Sequence, residues 1–250
     1  MYRGMFRCFT TGKRNSYSPN YRYRKWQVVC SARNTMTYPI LYSFRRCPYA
    51  MRARLAIASS GIQVELREIV LRDKTPEFLE TSPTATVPCL KVGERVVDES
   101  LHIMAWALGQ NDPENLMQMP TVGYSLMSTC DGTFKHALDR YKYPTRYPEI
   151  DPIVNRDAAS SFIQELEQRL DGNLFGPDPK LADFAILPFI RQFAHVDLDW
   201  FSAQPWEKTV VWLQSFKDSA RFAAIMDKYP KWVNGDAPTY FPYQIRAFAC

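Results

Sequence analysis

Short apolar runs alternate with helix-like segments over residues 38–111. The run Pro39–Phe44 is rich in strand formers, and Pro48 then fits a first helical turn, where its missing N–H leaves no backbone partner unpaired. A helix is predicted over Tyr49–Ser60, ending at Gly61. The later predicted elements are a strand Val64–Val70, a short helix Thr75–Glu80, a hairpin of Val87–Val92 and Arg95–Asp98, and a helix Leu101–Leu108. This order predicts a small α/β domain over 38–111.

Beyond Asn111 the pattern becomes helical and indicates no further strand. Leu181–Phe193 is apolar on nearly every side, as expected of a central helix in a bundle. The other predicted helices are Asp157–Leu170, Trp206–Phe216 and Ala220–Tyr229. Residues 112–250 are therefore predicted to form an all-helical second domain.

Composition and charge are those of a globular protein with a basic N-terminal segment. The 250 residues are 46% hydrophobic, which excludes a disordered, collagen-like or disulfide-stapled chain. The net charge of +5 is uneven: residues 1–37 hold eight basic side chains and no acid, and the rest carries 23 basic and 26 acidic groups. The body is therefore slightly acidic, and no motif indicates nucleic-acid binding.

The basic leader, residues 1–37, has several interpretations. Tyr2, Met5, Phe6 and Phe9 recur at helical spacing among arginines, which is typical of an organelle presequence and would place the protein in a mitochondrion or plastid. The alternatives are a disordered tail, a start site misassigned upstream of Met36, or an attachment arm for a larger assembly. Without a presequence the expected location is cytoplasmic.

No apolar stretch is long enough for a membrane span or a secretion signal. The six cysteines lack CxxC pairs and metal-ligand spacing, so neither a disulfide framework nor a metal site is expected. The three histidines show no metal-like spacing and are interpreted as structural or surface residues: His102, His136 and His195.

Cys47 is the candidate nucleophile, although a lone cysteine is also a common small core residue. It precedes Pro48 at a predicted helix N-terminus, where backbone N–H groups and the helix dipole favour an anion. We therefore expect its thiol pKa to lie below the usual value, with help from Arg45 and Arg46. Ala50 stands where a Cys-Pro-Tyr-Cys motif would place a resolving cysteine, so an external thiol has to complete any exchange.

Residues 38 to about 235 resemble the cytosolic glutathione S-transferases with a cysteine-type active site, omega-like or bacterial-like. The resemblance depends on four features in order: Cys47–Ala50, Val87-Pro88, Glu99-Ser100 and Leu181–Asp183. It implies a thioredoxin-like α/β N-terminal domain followed by an all-α helical bundle, and a homodimer. It also implies that Asp183 caps the central helix, although Lys180 replaces the usual Ser or Thr partner.

The same resemblance implies a glutathione site. Val87 and Pro88 would form a cis-proline turn that offers backbone groups to the cysteinyl part of glutathione; an ordinary trans proline is the alternative. Ser100 would hold the γ-glutamyl carboxylate and Glu99 the ammonium, unless the pair is only a helix cap. Lys74 would approach the glycyl carboxylate.

The implied activity is glutathione-dependent thiol transfer or reduction through a Cys47 mixed disulfide, with glutathione as co-substrate and no metal. A conjugating transferase and a non-catalytic scaffold subunit are the alternatives. The partner substrate is an unidentified electrophile or disulfide. Arg46 and Tyr49 are expected beside the site, and Tyr42 within its strand. Candidates for lining the acceptor pocket are Met117, Met119, Tyr124, Phe134, Tyr141 and Tyr143, with 141–148 as a loop over the cleft.

Overall fold

The computed structural model describes residues 37–243. The basic leader therefore lies outside the described residues, apart from Thr37. A mixed sheet of five strands has the order β4-β3-β1-β2-β5, with β1 and β2 parallel and the other neighbours antiparallel. The strands are β1 Ile40–Ser43, β2 Val64–Glu68, β3 Cys89–Val92, β4 Arg95–Val97 and β5 Tyr240–Phe241.

The helices pack on the sheet and on one another around a large apolar core, and a smaller apolar cluster forms around Tyr42, Phe78 and Trp232. They are α1 Pro48–Ser60, α2 Pro76–Thr81, α3 Ser100–Gln110, α4 Val122–Thr129, α5 Lys135–Lys142, α6 Pro152–Arg169, α7 Leu181–Ala194, α8 Leu198–Ser202, α9 Glu207–Asp218 and α10 Ala220–Ile225. A π-helical turn, Cys130–Phe134, joins α4 to α5, and a 3-10 turn, Pro144–Arg146, follows α5. The predicted fold class, a thioredoxin-like α/β domain followed by a helical bundle, is confirmed.

The expectation that no strand follows Asn111 is wrong, so 112–250 is not entirely helical. After α10 the chain returns to the sheet, and β5 pairs with β2 through Val64 opposite Phe241. We call 226–243 the C-terminal strap. Its Trp232 is buried and donates its backbone N–H to Glu68 O at 2.9 Å. The strap thereby covers the β2 edge of the sheet.

Sequence reasoning also missed the helices between 122 and 142. Thr129, Gly132 and Thr133 are weak helix formers, and the chain there widens into the π-helical turn. Single π-helical turns inside α-helices are frequent at functional sites. Here Asp131 lies in the turn and pairs with Arg52 of α1. The predicted loop 141–148 is partly helical, because α5 extends to Lys142 and the 3-10 turn follows.

The central helix α7 is buried over almost its whole length, as its all-round apolar pattern predicts. Asp183 accepts backbone N–H bonds from Lys180 at 2.8 Å and Leu174 at 2.9 Å. The Lys180 side chain makes no capping bond, as expected of an ammonium. Burial raises the pKa of Asp183 to about 6, against the lowering effect of these N–H groups.

Within residues 37–243 no helix combines the length and the apolar character needed to cross a membrane.

Candidate active site

Cys47 lies between the end of β1 and the start of α1. It is the N-cap of α1 in an extended conformation, with Pro48 as the first helical residue. The side chain is half-buried, and its Sγ donates to Val87 O at 3.7 Å. The Val87-Pro88 bond is cis. Two predicted site features that are 40 residues apart along the chain are therefore in contact.

The expected lowering of the Cys47 pKa is wrong in direction. Burial raises the pKa of the thiol above its ordinary value, and the N–H groups of Ala50 and Tyr49 lower it by less. The cations that also lower it are Arg54 and Lys135, rather than the expected Arg45 and Arg46. Desolvation penalises the thiolate more than the helix N-terminus favours it.

We therefore expect Cys47 to react slowly with iodoacetamide at neutral pH. The rate constant should lie below that of a free cysteine at pH 7 and rise about tenfold per pH unit to at least pH 9, because only the thiolate attacks. Peptide mass spectrometry across a pH series measures this at Cys47 itself. A rate that levels off below pH 8 would show that the thiol is acidic after all.

Ser100 opens α3 and is buried, beside the exposed Glu99 at the N-cap. Its Oγ accepts a hydrogen bond from Arg52 Nε at 2.9 Å, and the same guanidinium binds both Asp131 carboxylate oxygens at 2.8 Å. Since its oxygen already accepts from Arg52, the hydroxyl hydrogen remains available for a ligand. Arg52 thus connects α1, α3 and the π-helical turn.

The sequence offered one signal for this arrangement, which our reasoning did not use. Arg52 and Arg54 stand in a helix that is otherwise uncharged and mostly apolar, and arginine is rarely buried unless it is paired. Asp131 carries no comparable signal, since it is distant along the chain and exposed acids are common. Only the fold shows that it is the partner of Arg52.

Arg54 holds the loop that leads into Cys47. Its Nη2 donates to Arg45 O at 2.7 Å and its Nε to Ile225 O at 3.1 Å, while Nη1 donates to Ser43 Oγ. From the sheet, Glu68 Oε1 accepts the Arg45 N–H at 2.7 Å. The loop is therefore fixed from two sides by buried charges.

Tyr49 packs beside the site through its ring, 4.8 Å from the Phe189 ring and 5.1 Å from the Arg52 guanidinium. Burial raises its pKa, so it stays a neutral phenol. Tyr42 is buried in β1, where its hydroxyl accepts from Arg67. The hydrogen bonds that favour the Cys47 thiolate come from the backbone N–H groups of Ala50 and Tyr49.

The remaining predicted residues are placed more loosely. Arg46 is exposed, with its guanidinium 5.6 Å from the Phe44 ring. Lys74 is half-buried in the loop before α2 and forms no ion pair within residues 37–243. The structure gives no direct contact between it and Cys47 or Ser100, so its role in binding stays a prediction.

The helical domain brings one predicted pocket residue close to the thiol. Tyr143, at the end of α5, lies near enough to Cys47 for the thiolate charge to help raise the pKa of its phenol, after burial and Asp139. Phe134 and Tyr141 instead pack on Phe193 in the core. The other three candidates, Met117, Met119 and Tyr124, are partly buried against the core.

Two cavities lie elsewhere. One, about 350 Å³, is under the C-terminal strap beside Glu68 and Trp232, and the other, about 330 Å³, is beside Trp212 and Arg221. Neither is lined by Cys47. Within residues 37–243, no group of three His, Cys, Asp or Glu side chains is placed to hold a metal ion.

Comparison with known proteins gives a family for the N-terminal part. Residues 41–115 match the family model described as glutathione S-transferase, N-terminal domain. The mouse protein named glutathione S-transferase omega-1 is 24% identical over 176 residues, which cover 63% of this chain and 68% of that protein. Glutathione S-transferase U22 of Arabidopsis thaliana is 35% identical over 68 residues, 27% of this chain, and the match spans only 31% of that protein.

Solved structures extend the likeness to the helical part. A glutathione transferase family member from Pseudomonas fluorescens, solved with two glutathione bound, superposes with a TM-score of 0.61 at 18% identity. The match covers 76% of this chain and 92% of that one. At this identity the likeness shows the fold.

Proposed function

Since this chain belongs to the glutathione S-transferase family, we propose that it is a glutathione-dependent thiol transferase that uses Cys47 as its nucleophile. The observation that supports this most is the contact between the Cys47 thiol and the Val87 carbonyl next to the cis proline. The contact puts the sulfur nucleophile beside a backbone segment that can hydrogen-bond a peptide-like ligand.

Glutathione fits the surrounding groups. The Val87 backbone is available to the cysteinyl part, and the buried Ser100 hydroxyl, with Arg52 on its oxygen, is set to donate to the γ-glutamyl carboxylate. Glu99 is exposed beside it and carries the charge that an ammonium needs. Lys74 is the proposed partner of the glycyl carboxylate.

The proposed reaction proceeds by two thiol exchanges. The Cys47 thiolate attacks the glutathione sulfur of a mixed disulfide, RS–SG; the S–S bond breaks, and RS⁻ leaves and takes up a proton. A second glutathione, as thiolate, then attacks the Cys47–SG disulfide, releasing oxidised glutathione and the Cys47 thiolate. The net reaction converts RS–SG and one free glutathione into RSH and oxidised glutathione, and the proton on RSH balances the one that the free glutathione loses.

Burial is the main cause of the raised Cys47 pKa, and the N–H groups of Ala50 and Tyr49 act against it. The thiolate is therefore the minor form at neutral pH, and the first exchange proceeds through that fraction.

The test is to compare two glutathione-dependent activities of the full chain. A thiol transferase should reduce the mixed disulfide of glutathione and 2-mercaptoethanol, and it should form a Cys47–glutathione adduct visible in the intact mass. Conjugation of 1-chloro-2,4-dinitrobenzene should be weak by comparison. Dominant conjugation without an adduct would contradict the proposal and favour the conjugating alternative.

The scaffold alternative has its own readout. A chain that fails to bind glutathione resin and elutes in a large assembly would support it. We also propose that the chain forms a homodimer, as the family implies. Light scattering of the purified chain measures its molecular mass in solution and tests this.

A further inference from the structure

The C-terminal strap contributes one large side chain to the smaller of the two groups of buried apolar residues. We call this group the small apolar cluster; its members are Tyr42, Ile69, Phe78, Val87, Cys89 and Trp232. The first five lie in the sheet domain, between positions 42 and 89. Within the described part of the chain, Trp232 is the one member that the strap supplies. The small apolar cluster is therefore complete only when the strap is in place.

Contacts on several sides hold Trp232 in this cluster. Its ring meets the Tyr42 ring edge-on, with 6.1 Å between the centroids, and Tyr42 packs in turn on the Phe78 ring at 5.2 Å. The Arg67 guanidinium carbon lies 4.1 Å from the centroid of the Trp232 ring, and its Nη1 donates to the Tyr42 hydroxyl at 2.9 Å. The backbone N–H of Trp232 donates to Glu68 O. The strap is therefore anchored to the sheet by this residue.

The small apolar cluster also borders the reacting sulfur. Val87 belongs to it, and the Val87 carbonyl accepts the hydrogen bond from Cys47 Sγ at 3.7 Å. Cys47 itself is partly buried against the cluster, as is Phe44, which directly follows β1. The cluster thus supports both partners of the contact on which the proposed function depends.

Trp232 also lines the cavity of about 350 Å³ under the strap, together with Leu66 and Glu68. One part of this residue therefore borders open space while another part packs on Tyr42. A smaller side chain at position 232 would extend the cavity toward the cluster, and neighbouring side chains fill such a space only in part. Val87 and Cys47 would then lose some of the packing that holds them.

We propose that Trp232 is a positioning residue for the candidate active site: by completing the small apolar cluster it holds the Val87 segment against Cys47 and limits the access of water to the thiol. The effect on glutathione rests on the proposed function, because Val87 is the proposed backbone partner of the cysteinyl part of glutathione. The effect on the thiol does not depend on that function. The strap thereby controls a site built from residues near the other end of the described chain.

The first experiment measures the alkylation of Cys47 by iodoacetamide in the full chain across a pH series, with peptide mass spectrometry as the readout. Trp232→Leu keeps the backbone N–H that binds Glu68 and removes the indole. We expect its rate constant at pH 7 to be about five times that of the wild type, because water that reaches the thiol lowers the desolvation cost of the thiolate. The rate should also level off at a lower pH than in the wild type. An unchanged pH profile would overturn the proposal.

Two controls separate positioning from a general loss of stability. Trp212→Leu removes a similarly buried indole from α9, in the larger apolar core and beside the other cavity, and should leave the Cys47 rate constant within about twofold of the wild type. Cys130 is fully buried in that core and should stay unlabelled in Trp232→Leu. An equal increase in Trp212→Leu, or labelling of Cys130 as fast as Cys47, would show a global opening and would overturn the proposal.

Trp232→Phe is the milder variant and serves if Trp232→Leu fails to fold. It keeps an aromatic ring next to Tyr42 but removes part of the volume of the indole. Its alkylation rate constant at pH 7 should be about twice that of the wild type. A value equal to the wild type in this variant, where Trp232→Leu does not fold, would count against the positioning role.

The second experiment measures the binding of S-methylglutathione by calorimetry, since its thioether sulfur forms no disulfide. Trp232→Leu should raise the Kd about fivefold, because the Val87 segment is held less firmly, and Trp212→Leu should leave it unchanged. If the wild type neither binds this ligand nor reduces a mixed disulfide, the proposed function fails, and faster alkylation of Cys47 in Trp232→Leu still supports the positioning role. If the wild type and Trp232→Leu bind the ligand equally well, Trp232 does not position Val87 and the proposal is overturned.

Discussion

Cys47→Ser should lower the kcat/KM for reduction of the hydroxyethyl mixed disulfide of glutathione by roughly a thousandfold or more. A serine hydroxyl does not ionise under these conditions and forms no S–S bond, so the first exchange step is lost. Because the side chain is half-buried at an N-cap, serine fits the same space and favours the cap. The free energy of unfolding should stay within about 1 kcal/mol of the wild type.

Cys130→Ala is the matched control for this variant. Cys130 is fully buried in the core, and burial raises the pKa of its thiol, so it stays protonated. The control should reduce the disulfide at the wild-type rate. If the Cys47→Ser variant is still retained on glutathione resin, the loss of activity is a loss of chemistry and not of glutathione binding. An unchanged reduction rate in Cys47→Ser would refute the mechanism.

Arg54→Met should cause the largest loss of stability among the changes considered, about 3–5 kcal/mol. The guanidinium is fully buried, and its removal leaves the Ser43 hydroxyl and the carbonyls of Arg45 and Ile225 without their donor. Glu68 also loses the opposite charge of Arg54. Urea unfolding followed by tryptophan fluorescence measures the loss. A change below about 1 kcal/mol would show that water or neighbouring groups replace the guanidinium.

Glu68→Gln provides a milder version of the same test. Its amide oxygen can still accept the Arg45 N–H, but the charge opposite Arg54 is gone. We expect a loss of about 1–2 kcal/mol, together with a changed pH profile of Cys47 alkylation because the loop before the thiol is held less firmly. A variant with lower stability but an unchanged alkylation profile would mean that the pair serves the fold and does not position Cys47.

The elements that sequence reasoning identified correctly are those with strong local patterns. Pro48 and Gly61 bracket α1, and the apolar run of α7 predicts burial, because each signal lies within one turn of the element it defines. Strand β5 was missed since it has two residues and pairs with a strand far away along the chain. No short stretch of sequence contains both β5 and its partner strand β2.

The candidate site divides in the same way. Cys47, Val87 and Ser100 were predicted because each lies in a short motif at the edge of an element; the structure brings Cys47 and Val87 into contact, and the binding roles stay predictions. Arg54 and Asp131 were not, since their roles depend on neighbours that only the folded chain supplies. The direction of the Cys47 pKa failed for the same reason: the helix N-terminus is visible in the sequence, but the desolvation that outweighs it is a property of the packed site.

The strap has a consequence for how the molecule is made. Because β5 follows α10, the sheet begun by residue 40 is completed only after residue 241 has been synthesised. Until then β2 presents open N–H and C=O groups, which invite pairing with another chain. Contacts over such a span also slow folding. The five-stranded order of the sheet is therefore reached only when the whole helical bundle has already been synthesised.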